Sequence, residues 1–96
     1  MQAVVRKYSG QGAKELMDVL EKNVADVERQ MRSVSGFVSY TLVRTAEGGV
    51  AVTVCRDQAG VDESTRKAKE WVAQHAAHVG AAAPEVAAGS VLLQAH

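Results

Sequence analysis

The chain has 96 residues, with 11 Lys and Arg against 11 Asp and Glu, so its formal net charge is zero. Such a length makes one domain with a modest core, and 47% hydrophobic with 23% charged residues is the balance of a soluble globular protein. Charge neutrality excludes the basic footprint of a nucleic-acid binder and leaves little long-range repulsion between copies of the chain.

No apolar run approaches the ~18 residues of a membrane span. The first residues lack the basic segment and apolar core of a signal peptide, so no membrane partner is expected. Cys55 is the single cysteine. It cannot form an internal disulfide, which fits a reducing compartment, and the expected location is the cytoplasm.

Residues 3–8, Ala-Val-Val-Arg-Lys-Tyr, predict a short strand, and Ser9-Gly10-Gln11-Gly12 predicts the turn that ends it. A single helix is expected from there to about Arg32. Leu16, Leu20, Val24, Val27 and Met31 form its apolar stripe, and Glu21, Asp26, Glu28 and Arg29 lie largely elsewhere. Residues 36–56 carry the strongest local signal. Two arms rich in β-branched and aromatic residues flank Ala-Glu-Gly-Gly, which reads as a β-hairpin. A loop at Glu47-Gly48-Gly49 would pair even positions with even. Val38, Tyr40 and Leu42 would then share one face with Val50, Val52 and Val54, while Ser39, Thr41 and Val43 share the other with Ala51, Thr53 and Cys55. That second face, small and half polar, suits contact with another sheet or a partner chain.

Asp57-Gln58-Ala59-Gly60 predicts a turn, and residues 62–79 a second helix capped by Asp62 or Ser64. Val61, Thr65, Ala68, Val72, Ala76 and Val79 form its buried stripe. A last strand is expected within residues 85–96, centred on Val91-Leu92-Leu93, with Gly89 marking a bulge or bend. Strand, helix, strand, strand, helix, strand is the split βαβ order. It predicts an α+β, ferredoxin-like βαββαβ fold: a four-stranded antiparallel sheet with both helices on one face.

In its element order and size, the chain resembles the dimeric α+β barrel superfamily, and most of all its antibiotic-biosynthesis-monooxygenase-like branch. Gly36-Phe37-Val38 at the hairpin entry, and Asp57 before a helix that reaches Trp71-Val72, add to the likeness. The resemblance implies a homodimer paired through its sheets and a cavity between sheet and helices. Some members use that cavity to oxidise aromatic polyketides without metal or flavin, others to degrade haem. The haem degraders' Asn, Trp and His set is not matched: Asn23 falls in the first helix, and Trp71 and His75 share one helix.

His75 falls on the apolar stripe between Ala68 and Trp71 and is therefore expected to face the sheet. A satisfied neutral imidazole is one reading, a catalytic base the other. Trp71, one turn earlier, packs in the core or lines a pocket for a planar ligand. Tyr40 can bring a phenol to the same place, and Arg44 shares its face nearer the hairpin end, as a solvated charge or a ligand contact. Cys55 reads as a small buried hydrophobe. His75 and His78 find no further ligand on their helix, so neither a metal nor a cofactor is expected. Phosphate-loop, dinucleotide and nucleophile-elbow motifs are absent. Together these readings point to a homodimeric small-molecule-binding protein, as a cofactor-independent oxygenase of a planar aromatic substrate or as a non-catalytic module.

Overall fold

The computed structural model describes residues 1–96. Its elements are β1 (Gln2–Tyr8), α1 (Ala13–Lys22), α2 (Val24–Arg32), β2 (Phe37–Thr45), β3 (Gly48–Cys55), α3 (Gln58–His75), a short 3-10 turn (Ala77–Val79) and β4 (Glu85–Ser90). The strands form one sheet in the order β2-β3-β1-β4, with every neighbouring pair antiparallel. This is the expected ferredoxin-like α+β architecture. Tyr8 and Ala51 from the sheet meet Leu16, Met17 and Leu20 of α1, Val27 of α2 and Trp71 of α3 in the main core cluster. Both core clusters join the sheet to the helices.

The expected first helix is two. At Asn23 the backbone leaves the helical region (φ −123°, ψ 29°), and the Asn23 side-chain amide donates to the Val19 carbonyl at 2.7 Å. A short amide side chain that bonds its own backbone competes with helix continuation, and the break follows. The other helix starts earlier than its stripe suggested, because Asp57 is its cap: the Asp57 carboxylate accepts from the Gly60 backbone N–H at 3.1 Å.

The hairpin register is the main correction to the sequence reading. Thr45 pairs with Gly48, so the connection is the two residues Ala46-Glu47, and Arg44, Val43 and Leu42 oppose Gly49, Val50 and Ala51. Even positions therefore meet odd ones. Tyr40 and Leu42 lie with Ala51, Thr53 and Cys55 beneath the helices, and Thr41 and Val43 lie with Val50, Val52 and Val54 on the open face. The glycines explain the difference. They were expected in the loop, where glycine supplies unusual backbone angles. Instead they serve close approach within the strand: a Cβ on Gly49 would strike the Met17 sulfur, and one on Gly48 the Tyr8 carbonyl and the Ala13 methyl. Seating α1 on the hairpin end requires both glycines in the ladder, and that shift turns the valines outward. A bulge between Phe37 and Ser39 returns Phe37 to the helix side opposite Cys55 and leaves Val38 exposed.

The last strand also differs. β4 pairs regularly with β1 from Lys7↔Glu85 to Gln2↔Ser90, and Gly89 sits in an unbroken ladder opposite Ala3, without a bulge. The final bond of this edge runs from the Val91 N–H to the Met1 carbonyl. Leu92 and Leu93 lie beyond it, 98% and 85% exposed, so they are not the strand's apolar centre.

Gly60 sets how closely α3 approaches the sheet. A Cβ there would sit 2.5 Å from the Ser35 carbonyl oxygen and 2.8 Å from the Cys55 Cβ. Gly60→Ala would gain about 1 kcal/mol in helix propensity. Overpacking against backbone costs about 1–3 kcal/mol and is expected to win. A urea midpoint below that of the wild type checks this; an unchanged or raised midpoint would show that α3 has room to shift.

Candidate functional site

The alternation of β1 places Val4, Arg6 and Tyr8 under the helices, opposite Thr53, Ala51 and Gly49 of β3. Arg6 is only 1% exposed. One terminal nitrogen donates to the Thr53 hydroxyl at 2.9 Å; the other reaches the hydroxyls of Ser64 and Thr65 at 3.4 and 3.3 Å. The guanidinium thus ties β1 to β3 and to α3. All of these acceptors are neutral. No carboxylate forms an ion pair with Arg6, and its Nε is buried without a partner. Buried charges are normally paired, because desolvating an ion costs several kcal/mol.

Tyr8 and Tyr40 flank this cation. Burial pushes both phenols up from their ordinary pKa, and the Arg6 charge nearby works in the opposite direction without overcoming it. At neutral pH both are neutral phenols, so neither supplies the missing negative charge.

Two sizeable cavities open between sheet and helices. A groove of about 610 Å³ lies on the β2 side, between that strand and α1–α2, with Tyr40, Phe37 and Leu42 on its walls. A cavity of about 460 Å³ lies on the β4 side, beneath the edge strand and beside α3, lined by Arg6, Tyr8, Leu16, Thr65, Val72 and Val86 among others. A void of about 20 Å³ walled by Tyr8, Tyr40, Trp71 and Val72 lies between them. Their electrostatics differ. In the groove, Arg32 pairs with Glu28 at 2.7 Å and Arg44 with Glu21 and Asp18 at 2.6 and 3.1 Å. On the β4-side walls the charged residues are Arg6 and Lys69, with no acidic side chain.

The residues singled out from sequence are only partly brought together. Trp71 is buried in the core, and its indole N–H donates to Asp26 at 2.7 Å, joining α3 to α2. Tyr40 is half-buried and lines both the groove and the small void. Arg44 stands at the groove, exposed and already paired. His75 departs from expectation. It is exposed, not directed at the sheet, and lines none of the three spaces. Its helix ends at that residue instead of running on to Val79, and its ring lies against the outside of Trp71, centroids 4.6 Å apart. Cys55 is fully buried under the helices, and burial pushes its thiol up, away from nucleophilic use. Asn23 is exposed at the helix break, away from either cavity.

Arg6 escaped the sequence reading. The signal was present: Val4, Arg6 and Tyr8 share a phase in a strand, so an inward Tyr8 implies an inward Arg6. Valines at both Val4 and Val5 obscured which phase is buried.

Among solved structures, the chain is similar to a mutant of MhuD with two manganese protoporphyrin IX molecules bound per active site. The TM-score is 0.65 and the identity 21%, over 99% of this chain and 97% of that one. It is also similar to the ActVA-Orf6 monooxygenase of Streptomyces coelicolor in complex with nanaomycin D, with a TM-score of 0.59 and 17% identity over 97% and 91% of the two chains. MhuD of Mycobacterium tuberculosis, a haem degrader with two haems in its active site, gives a TM-score of 0.58 and 21% identity over 99% and 98%. No family model matches the sequence, and no curated protein matches it. The chain shares the ferredoxin-like α+β fold of these solved structures.

The Trp71–Asp26 bond crosses the helix layer above the small void. Asp26→Ala leaves the indole N–H without its acceptor and is expected to lower stability by about 1–3 kcal/mol, with Asp26→Asn, which retains an oxygen, closer to wild type. Urea unfolding followed by the emission of the single tryptophan checks this. Equal midpoints for all three proteins would mean the bond contributes nothing.

Proposed function

We propose that this protein is a homodimer that binds a planar small molecule between its sheet and helices, and that it is a cofactor-independent oxygenase of the monooxygenase-like group. The observation that carries the ligand reading is the cavity of about 460 Å³ on the β4 side, within the size range of small-molecule sites. A tightly packed module would have filled it. The similar solved structures, bound to manganese protoporphyrin, haem or nanaomycin D, support the same reading.

The haem chemistry of those neighbours does not transfer on the residues present. No histidine or cysteine lines either cavity, and His75 lies outside. Oxygenation would instead run through the ligand's own ionisation. Nothing on the β4-side walls is a carboxylate or imidazole base, so the assistance this cavity offers is electrostatic: Arg6 stabilises the anion of a bound acid. The acid's proton leaves to water; the electron-rich carbon of the anion adds dioxygen, the peroxide anion takes a proton back, and loss of water from the hydroperoxide leaves a carbonyl. Trp71 and Tyr40 wall the small void between the two cavities and do not line the β4-side one, and neither Arg44 nor His75 is assigned a step. The absence of a side-chain base equally favours a second reading, a homodimeric binding or regulatory module without turnover.

The homodimer rests on the uncovered face of the sheet. Val5 and Val43 are exposed there and Val50 and Val52 half-buried, without an intramolecular partner. Valines in the middle of a sheet, not the small half-polar surface expected from sequence, are the group that gains from a second copy. Leu92 and Leu93 offer further apolar surface.

Native mass spectrometry of protein purified from its own cells tests both parts. A dimer carrying a retained small molecule is expected; a bare monomer would contradict the proposal. Val52→Lys puts a charge in the middle of the open face and is expected to yield folded monomer by analytical ultracentrifugation. A Val52→Lys dimer would move the interface elsewhere.

A further inference from the structure

The two cavities offer different chemistry to a ligand, and the difference lies in unmatched charge. On the β2 side each lining arginine is already bridged to a carboxylate. The β4-side cavity has Arg6 at its base, 1% exposed and with an unpartnered Nε. At its mouth stands Lys69, exposed and without an ion pair. The remaining walls are mostly apolar: Leu16, Val72, Val86 and a series of alanines.

We propose that the ligand of the β4-side cavity carries an anionic oxygen group, a carboxylate or an ionised phenol or enol, that seats against Arg6, with Lys69 drawing it in from the mouth. This rests on the ligand reading above and adds the chemical class of the ligand's head group, its orientation in the cavity and the part played by Lys69. The hydroxyls of Thr53, Ser64 and Thr65 hold the terminal nitrogens of the guanidinium. They fix its plane and, being neutral, leave its charge without a counter-ion at the cavity wall. An interior cation held this way is attracted to an incoming anion far more strongly than a solvated one, because little water screens it. Burial keeps the neighbouring Tyr8 and Tyr40 phenols protonated, so they do not compete for the role. The apolar walls then select for a hydrophobic body attached to that anionic head.

The test compares naphthoate with its neutral isostere naphthamide by calorimetric titration. Wild type is expected to bind naphthoate roughly tenfold or more tightly than naphthamide, the scale of a hydrogen bond to a charged group. Arg6→Met keeps much of the side-chain volume and removes the charge. It is expected to abolish the preference and to keep naphthamide binding. Lys69→Gln is expected to reduce the naphthoate preference severalfold and leave naphthamide unchanged. Equal affinity for both probes in wild type would overturn the anion assignment while leaving a planar-ligand site in place. Failure of both probes to bind would overturn the ligand reading itself, and this inference with it. Should Arg6→Met not fold, Lys69→Gln carries the test, and an unchanged naphthoate preference there overturns the assignment.

Discussion

A guanidinium held in the interior by hydroxyls alone is the constraint around which this molecule is arranged. One terminal nitrogen of Arg6 donates to Thr53 on β3 and the other to Ser64 and Thr65 on α3. The middle of the sheet and the long helix are thus registered on one side chain. Proteins that bury a charge usually bury its opposite beside it. Here the cost of desolvation is left partly unanswered, at a residue that lines the cavity beneath β4. Strain or unmet polarity of this kind concentrates where a structure does something besides hold itself together.

The sheet's two faces divide the remaining work. Under the helices, small and polar residues of β3 (Ala51, Thr53, Cys55) leave room for Arg6, Tyr8 and the cavities. Larger residues at those positions would fill the space. On the open face, the valines of the same strand wait for a cover the chain does not provide. The two faces are coupled through Gly48 and Gly49, because their lack of side chains admits α1 and fixes the register that sends each residue to its face. A single structural decision at the hairpin end therefore controls both the interior polarity and the outer apolar surface.

Much of the architecture was legible from residue order: the strands and helices, their sequence and the fold follow from periodicity and turn chemistry. The errors share a cause, which is that local patterns do not report tertiary approach. Glycine after glutamate reads as a loop until a helix needs the space above it. Val91-Leu92-Leu93 reads as a strand, yet the last bond of the edge is Val91 to Met1, and Leu92 and Leu93 stand exposed past it. His75 sits correctly on the helical wheel, but the helix stops there and Trp71 occupies the buried position. The site was less legible for a related reason. A histidine, a tryptophan and a tyrosine attract notice as chemistry-bearing types, whereas Arg6 looks like a surface charge until its strand phase is known.

The measurement that bears most directly on the uncompensated interior cation is a crystal structure of the protein with naphthoate bound. The expected result is a carboxylate oxygen seated against the Arg6 guanidinium, with the aromatic body along the apolar walls beneath β4. Naphthoate seated instead on Arg32 or Arg44 in the β2-side groove, or an acidic side chain found against Arg6, would contradict it.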